Sequence, residues 1–228
     1  MRWPRLLEQI FGVANAGGRA SSQPEAAAGT ASAADKIVEP VIHIHEDAYG
    51  MRSLVPIAAY AEAHQDVEKA REEGERNASP TGMGWTDVYV AQAPSIDFSS
   101  VPLRLADAVR VFEKYFPRIS RFTATASAGF DPNVKDPFGS YQTQAYCYGT
   151  GAACFVKLEH KDDIVIQIWF ECWTNVREDA FQLRAALTEL NESVPSAIID
   201  YYLSAAGKIS DVDFMNRYFE ALEPPASA

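Results

Sequence analysis

The sequence has no hydrophobic run long enough to span a bilayer and no excess of positive charge. A membrane-spanning helix needs roughly 20 consecutive apolar residues, and no stretch of this chain approaches that length. The 20 basic and 31 acidic residues give a net charge of −11, which repels the phosphate groups of nucleic acids and of anionic lipids. The composition therefore predicts no integral membrane association and no nucleic-acid partner.

Cysteine is also scarce. The three cysteines are Cys147, Cys154 and Cys172, and none forms a C-x-x-C pair. Each lies in an apolar, strand-like stretch, which predicts buried free thiols and a location in the reducing cytoplasm. A disulfide from Cys147 to Cys154 across a hairpin is the alternative for an exported protein.

The composition divides the chain into four segments. Residues 1–12 carry apolar side chains at helical spacing and predict a short amphipathic helix. Residues 13–36 are rich in small and polar residues and predict a disordered linker. We expect a single folded domain over 37–222 and a flexible tail over 223–228. The helix at 1–12 can dock on the domain, on a partner or on a membrane surface, and polar residues within its apolar part disfavour a secretory signal.

Hydrophobic periodicity predicts the secondary structure of the domain. Strands are predicted over 37–45, 85–90, 121–126, 141–148, 154–160 and 164–173, and helices over 53–73, 103–116, 177–193, 196–206 and 211–222. Strand–helix alternation, then an antiparallel meander, then helices is typical of an α+β fold. We therefore expect one mostly antiparallel sheet of five or six strands with helices packed on it.

Two of the four histidines fall in the first predicted strand. Side chains alternate along a strand, so His43, His45 and Asp47 share one face. Such a pair of imidazoles can bind zinc, but a catalytic zinc needs three protein ligands and a closed structural site needs four. Only His64 and His160 remain elsewhere. We predict no cofactor, and a small metal-dependent hydrolase centred on His43, His45 and Asp47 is the alternative.

No other stretch has the pattern of a catalytic motif. The glycines at 82 and 84 precede a predicted strand and lack the Gly-Lys-Ser/Thr ending of a phosphate-binding loop. The G-x-S-x-G pattern of a serine nucleophile does not occur. The sequence therefore assigns no catalytic residue and favours a protein that is not an enzyme.

Aromatic and acidic residues recur on the predicted meander. If its strands pair in order, large amphipathic rings and carboxylates lie on adjacent strands, a combination typical of protein interfaces. The predicted partner-binding residues are Tyr146, Tyr148, Glu159, Trp169, Glu171 and Trp173. The alternative is a sheet face that is covered by the C-terminal helices.

These features together favour an acidic, non-enzymatic protein that binds a partner protein with a basic surface. Its negative charge would speed the encounter with such a partner. The general character resembles that of bacterial immunity and antitoxin proteins, although fold class alone does not fix function. A membrane-surface adaptor that uses residues 1–12 is a further alternative, and the sequence leaves the oligomeric state open.

Overall fold

The computed structural model describes residues 40–79, 86–87, 89–101, 103–126, 139–174 and 176–222. The predictions for residues 1–12, 13–36 and 223–228, and for the glycine-rich turn at 82–84, lie outside the described residues. Across the ranges that are described, no helix is both long enough and apolar enough to cross a membrane.

The described residues form ten strands and four α-helices. The strands are β1 (Val41–His45), β2 (Arg52–Pro56), β3 (Arg118–Ile119), β4 (Arg121–Thr125), β5 (Ser140–Gln142), β6 (Tyr146–Gly151), β7 (Cys154–Lys161), β8 (Ile164–Cys172), β9 (Ser196–Asp200) and β10 (Ala205–Lys208). The helices are α1 (Tyr60–Arg76), α2 (Leu105–Phe112), α3 (Arg177–Ser193) and α4 (Val212–Leu222).

Two sheets organise these elements. The large sheet has seven strands in the order β10-β9-β2-β8-β7-β6-β3, and neighbouring strands are antiparallel throughout. In the small sheet, β4 pairs in parallel with β1 and antiparallel with β5. The predicted α+β fold with a mostly antiparallel sheet is confirmed, whereas the prediction of a single sheet with five or six strands is wrong.

Both faces of the large sheet are covered. Helices α2, α3 and α4 pack on one face and form the larger core. On the other face, α1 packs over β2, β9 and β10, and the small sheet lies over the half formed by β6, β7 and β8. Strands buried on both faces carry apolar residues at consecutive positions, and Ile168, Trp169 and Phe170 of β8 are all fully buried.

The predicted helix over 53–73 is wrong in its first part. Residues Arg52–Pro56 form β2, and α1 begins only at Tyr60. Leu54 packs under the helices α2 to α4, whereas Val55 packs against α1. Neighbouring residues therefore point to opposite faces, as they do in a strand, and Pro56 ends that strand instead of opening a helix.

The predicted helix over 196–206 is also wrong, and so is the predicted strand over 85–90. Strands β9 and β10 form an antiparallel hairpin in which Ile198 and Ile199 enter the cores on opposite faces of the sheet. β-Branched residues are stiff at χ1 and suit a strand better than a helix. The described residues of the second segment, 86–87 and 89–90, lie outside any strand.

Three helix predictions and three strand predictions are confirmed to within a few residues. They are α2, α3, α4, β4, β7 and β8. The predicted β-rich stretch at 141–148 divides into the end of β5 and the start of β6.

Close contact between β6 and β7 leaves no space for a side chain at Gly149. A Cβ atom there would lie 2.2 Å from the carbonyl oxygen of Cys154 and 2.6 Å from the Cα of Phe155. Since backbone atoms must move to accept it, we expect Gly149→Ala to lower the free energy of unfolding by about 1–3 kcal/mol. Urea unfolding measures the change, with Gln144→Ala in the exposed preceding turn as the control. Equal unfolding midpoints for the two variants would contradict this account.

Candidate functional site

The ends of three strands meet at one end of the large sheet. Strand β2 lies between β8 and β9 and is antiparallel to both. The first residue of β2 therefore lies beside the last residues of β8 and β9. This topology brings Arg52, Glu171 and Asp200 together, although long stretches of chain separate them.

Arg52 is the centre of a buried charge network. Its Nε donates a hydrogen bond to Oδ2 of Asp200 at 2.8 Å, and its Nη1 donates to Oε2 of Glu171 at 3.1 Å. These three side chains are at most 3% exposed. From α4, the hydroxyl of Tyr218 also donates to Asp200, at 2.9 Å. The network thus joins β2, β8, β9 and α4.

Two aromatic rings cover the guanidinium group. The Cζ of Arg52 lies 3.7 Å from the ring centroid of Trp173 and 5.0 Å from that of Tyr202. The two rings meet edge to face at 5.3 Å. Both rings are half-buried, so they separate the charges from solvent and add cation–π attraction.

The network holds one cation and two carboxylates. Burial raises the pKa of Glu171 to about 7, although Arg52 opposes that shift. Two buried atoms of the network, Nη2 of Arg52 and Oε1 of Glu171, have no hydrogen-bond partner. A protonated Glu171 would leave Arg52 and Asp200 as a neutral pair. The network can therefore take up or release a proton near neutral pH. The rings of Trp173 and Tyr202 lie between its charged groups and solvent.

A second buried ion pair lies between the two sheets. The fully buried Lys157 pairs with Oε1 of Glu159, which also accepts a hydrogen bond from the hydroxyl of Tyr49. Nζ of Lys157 lies 4.8 Å from the ring centroid of Phe122 in the small sheet, and Trp169 packs beside Tyr49 at 4.6 Å. These contacts fix the small sheet to the large one.

Helix α1 and the chain that packs on it carry a dense group of acidic residues. We call α1 together with residues 86–87 and 89–97 the α1 surface. It holds eight carboxylates and three basic side chains. Within α1, Arg71 pairs with Glu68 and Glu75. The surface remains negative because eight of its eleven charged groups are acidic.

Carboxylates of α1 hold residues 89–97 in place. The hydroxyl of Tyr89 donates to Oδ1 of Asp66 at 2.5 Å. The backbone nitrogen and the hydroxyl of Ser95 both donate to Oε2 of Glu62, at 3.0 and 2.7 Å. These hydrogen bonds lower the pKa of Glu62 and so favour its ionised form.

The α1 surface is connected to the buried network. Tyr201 donates its hydroxyl to Oδ2 of Asp66 at 2.6 Å. Its neighbours in the chain are Asp200, which binds Arg52, and Tyr202, which packs against Trp173. One turn after β9 thus joins α1 to the end of the large sheet.

The structure separates the six predicted partner-binding residues. Tyr148, Trp169 and Glu171 are at most 3% exposed, so they do not form an accessible surface in this conformation. The half-buried Tyr146 lies on the same strand as Tyr148 and stacks with Arg118 at 4.0 Å. Tyr148 lies in the core under α2, α3 and α4, whereas Trp169 lies beneath the small sheet, whose strands come from distant parts of the chain.

Glu159 and Trp173 are the other two predicted partner-binding residues. The side chain of Glu159 is 20% exposed and belongs to the ion pair between the sheets. Trp173 is half-buried and packs on the guanidinium group of Arg52. Both side chains therefore have structural partners at different places in the molecule.

The histidine pair lies on the small sheet. Nδ1 of His43 lies 2.7 Å from the hydroxyl of Thr123, and Nε2 of His45 lies 2.9 Å from the carbonyl oxygen of Ala126. Nδ1 of His45 lies 3.4 Å from Asp47. In the part of the chain that is described, no three His, Cys, Asp or Glu side chains form a group that could hold a metal ion.

Comparisons of this chain with protein-family models, with curated proteins and with solved structures found no match.

The pKa of Glu171 predicts how stability changes with pH. A folded-state pKa of about 7, above the ordinary 4.5, means that the native state keeps a proton that the unfolded chain releases between these values. Stability should therefore fall by about 3 kcal/mol as the pH rises through that window. Glu171→Gln mimics the protonated carboxyl and should remove most of this dependence. Urea unfolding between pH 5 and 8 measures it, and the exposed Glu220→Gln is the control. If the unfolding free energy of wild type and of Glu171→Gln changed equally with pH, the assignment to Glu171 would be contradicted.

The Lys157–Glu159 pair predicts a non-additive double mutant. Glu159→Ala leaves a buried ammonium group without its carboxylate, which should cost about 3 kcal/mol of unfolding free energy. Lys157→Met removes the uncompensated charge and keeps much of the side-chain volume, so the double variant should be more stable than Glu159→Ala alone. Chemical denaturation of wild type, both single variants and the double variant completes the cycle. A double variant less stable than Glu159→Ala would show that the charge pair is not the main contribution.

Proposed function

We propose that this protein is not an enzyme and binds a basic partner protein through the α1 surface. The observation that carries the proposal is the concentration of charge, with eight carboxylates and three basic side chains on α1 and residues 86–87 and 89–97. Complementary charge mainly speeds association and selects the partner. The role is similar in character to that of immunity and antitoxin proteins, which cover a surface of another protein.

Two exposed apolar side chains also favour the α1 surface as the place where a partner binds. Val90 is 71% exposed and lies between the residues that Asp66 and Glu62 hold, and Ile57, just before α1, is 38% exposed. Protein interfaces commonly combine apolar contacts with a polar rim. Val90 is therefore an apolar side chain that a partner can bury, and acidic residues of the α1 surface surround it.

The hydrogen bonds to α1 also favour binding. Residues 89–97 belong to no strand, yet Asp66 and Glu62 fix this extended segment at both ends. A segment that is already ordered loses less conformational entropy when a partner covers it. We therefore expect the exposed residues between Tyr89 and Ser95 to be contacted directly.

Site-specific photo-crosslinking in the cells that produce the protein tests the proposal. A photoreactive amino acid at position 90 should crosslink one basic protein in stoichiometric yield. The same amino acid at position 181 is the matched control, because Phe181 is 66% exposed and lies on α3, on the opposite face of the large sheet. Equal capture from both positions, or no stoichiometric product from position 90, would contradict the proposed surface.

Charge reversal on α1 should slow association with the captured partner. Glu72 is exposed, so we expect Glu72→Lys to lower the association rate constant roughly 3- to 10-fold at low salt and to have a smaller effect at high salt. Stopped-flow or surface-based kinetics with the purified partner measures both. The exposed Glu220→Lys on α4 makes the same charge change on the other face and should have less effect. An equal loss in both variants would show that net charge, and not the α1 surface, controls the encounter.

A further inference from the structure

Two of the three cysteines face each other across neighbouring strands. Cys154 of β7 pairs directly with Cys172 of β8 in the antiparallel register. The next residue pair along the two strands is Ala153 and Trp173. The backbone nitrogen of Trp173 donates a hydrogen bond of 2.7 Å to the carbonyl oxygen of Ala153. Hydrogen-bonded and non-hydrogen-bonded pairs alternate along such a ladder, so Cys154 and Cys172 occupy a non-hydrogen-bonded position.

That position suits a disulfide. Cα atoms of a non-hydrogen-bonded pair lie about 4.5 Å apart, which falls within the range of roughly 4.4–6.8 Å that disulfides accept. Both side chains enter the core under α2, α3 and α4, and interaction between the two thiols raises the pKa of Cys154 and lowers that of Cys172. No change of backbone path is therefore needed to bring the two sulfur atoms together.

The third cysteine is placed differently. Cys147 lies opposite Lys157 and packs with Phe155 in the core beneath the small sheet. It therefore lies on the other face of the large sheet from Cys154, and the disulfide considered from the sequence between Cys147 and Cys154 does not fit this arrangement.

We propose that Cys154 and Cys172 form an oxidisable dithiol that closes to a disulfide when it meets a small peroxide. The site lies at the end of the large sheet that also holds the Arg52 network, since Nη1 of Arg52 lies 3.4 Å from the carbonyl oxygen of Cys172. The proposal does not depend on the α1 surface or on any partner.

The reaction balances with hydrogen peroxide as the oxidant. The sulfur of Cys172 attacks one peroxide oxygen, the O–O bond breaks, and a sulfenic acid and one water form. The sulfur of Cys154 then attacks the sulfur of Cys172, and the hydroxyl group leaves with the thiol proton as a second water. The two thiols lose two electrons and two protons in total. Because both thiols are fully buried, peroxide must reach them through a local opening at this end of the sheet.

The environment favours Cys172 as the attacking sulfur. The hydrogen bond from Cys154 lowers the pKa of Cys172, and Arg52 adds to this effect against that of burial. Sγ of Cys154 lies 3.9 Å from the carbonyl oxygen of Asp179 at the start of α3. The pair thus has a more acidic thiol next to one that keeps its proton.

Mass spectrometry of the folded, full-length protein tests the proposal. The reduced protein is treated with hydrogen peroxide, unfolded, alkylated and digested without reductant. We expect a peptide link between Cys154 and Cys172, an alkylated Cys147, and reversal of the link by dithiothreitol. Recovery of Cys154 and Cys172 as alkylated thiols, as separate sulfinic acids or in a link to Cys147 would overturn the assignment.

Variants supply an independent readout. Cys147→Ser leaves two thiols in the chain, so oxidation should remove two hydrogen atoms from the mass of the linked cysteine peptides and leave no thiol to alkylate. Cys154→Ser should prevent the link. If Cys154→Ser fails to fold, Cys147→Ser decides alone, because addition of oxygen atoms to either cysteine, located by peptide mapping, or retention of both thiols in that variant contradicts disulfide formation.

Discussion

The burial of one guanidinium group constrains the whole end of the large sheet. Arg52 is fully buried and must keep its charge, so Asp200, Glu171 and the ring of Trp173 all have to be in place around it. Removing one partner of a buried ion pair commonly costs about 3–5 kcal/mol. Because its partners come from β8 and β9, the network also favours the position of β2 between these two strands. Other neighbours for β2 would leave Arg52 without its carboxylates.

The two buried ion pairs have different tasks. The Arg52 network joins strands within one layer and reaches α4 through Tyr218, whereas the Lys157–Glu159 pair lies between two sheets. An apolar contact tolerates sliding better than a charge that needs its partner at hydrogen-bond distance. We therefore interpret the second pair as fixing the position of the small sheet, whose remaining contacts with the large sheet are largely apolar.

The long strands β7 and β8 were predicted although consecutive residues of each are buried, because β8 is nine residues long and rich in β-branched and aromatic residues and β7 follows a clear turn before it. Local periodicity predicted the helices α2, α3 and α4, because in these segments one stripe dominates burial. It failed for Arg52–Pro56 and Ser196–Asp200, which are buried on both faces and show no alternation. It also placed Trp169 and Glu171 in a binding surface. Trp169 is covered by Val41–His45 and Arg121–Thr125, and Glu171 is buried beside Arg52. No local pattern indicates contacts between such distant segments.

The net charge of the sequence predicted a basic partner but could not locate its surface. Asp200 and Glu171 count as acids in the total, yet both are buried beside Arg52 and contribute little to the outer field. The field that a partner meets comes instead from exposed groups, and α1 has the densest set of acids among the described helices. Asp66 belongs to both systems, because Tyr89 on the surface and Tyr201 beside the buried network donate to its two oxygens. A partner that covers residues 89–97 would therefore bind a segment whose position is already fixed by hydrogen bonds to α1.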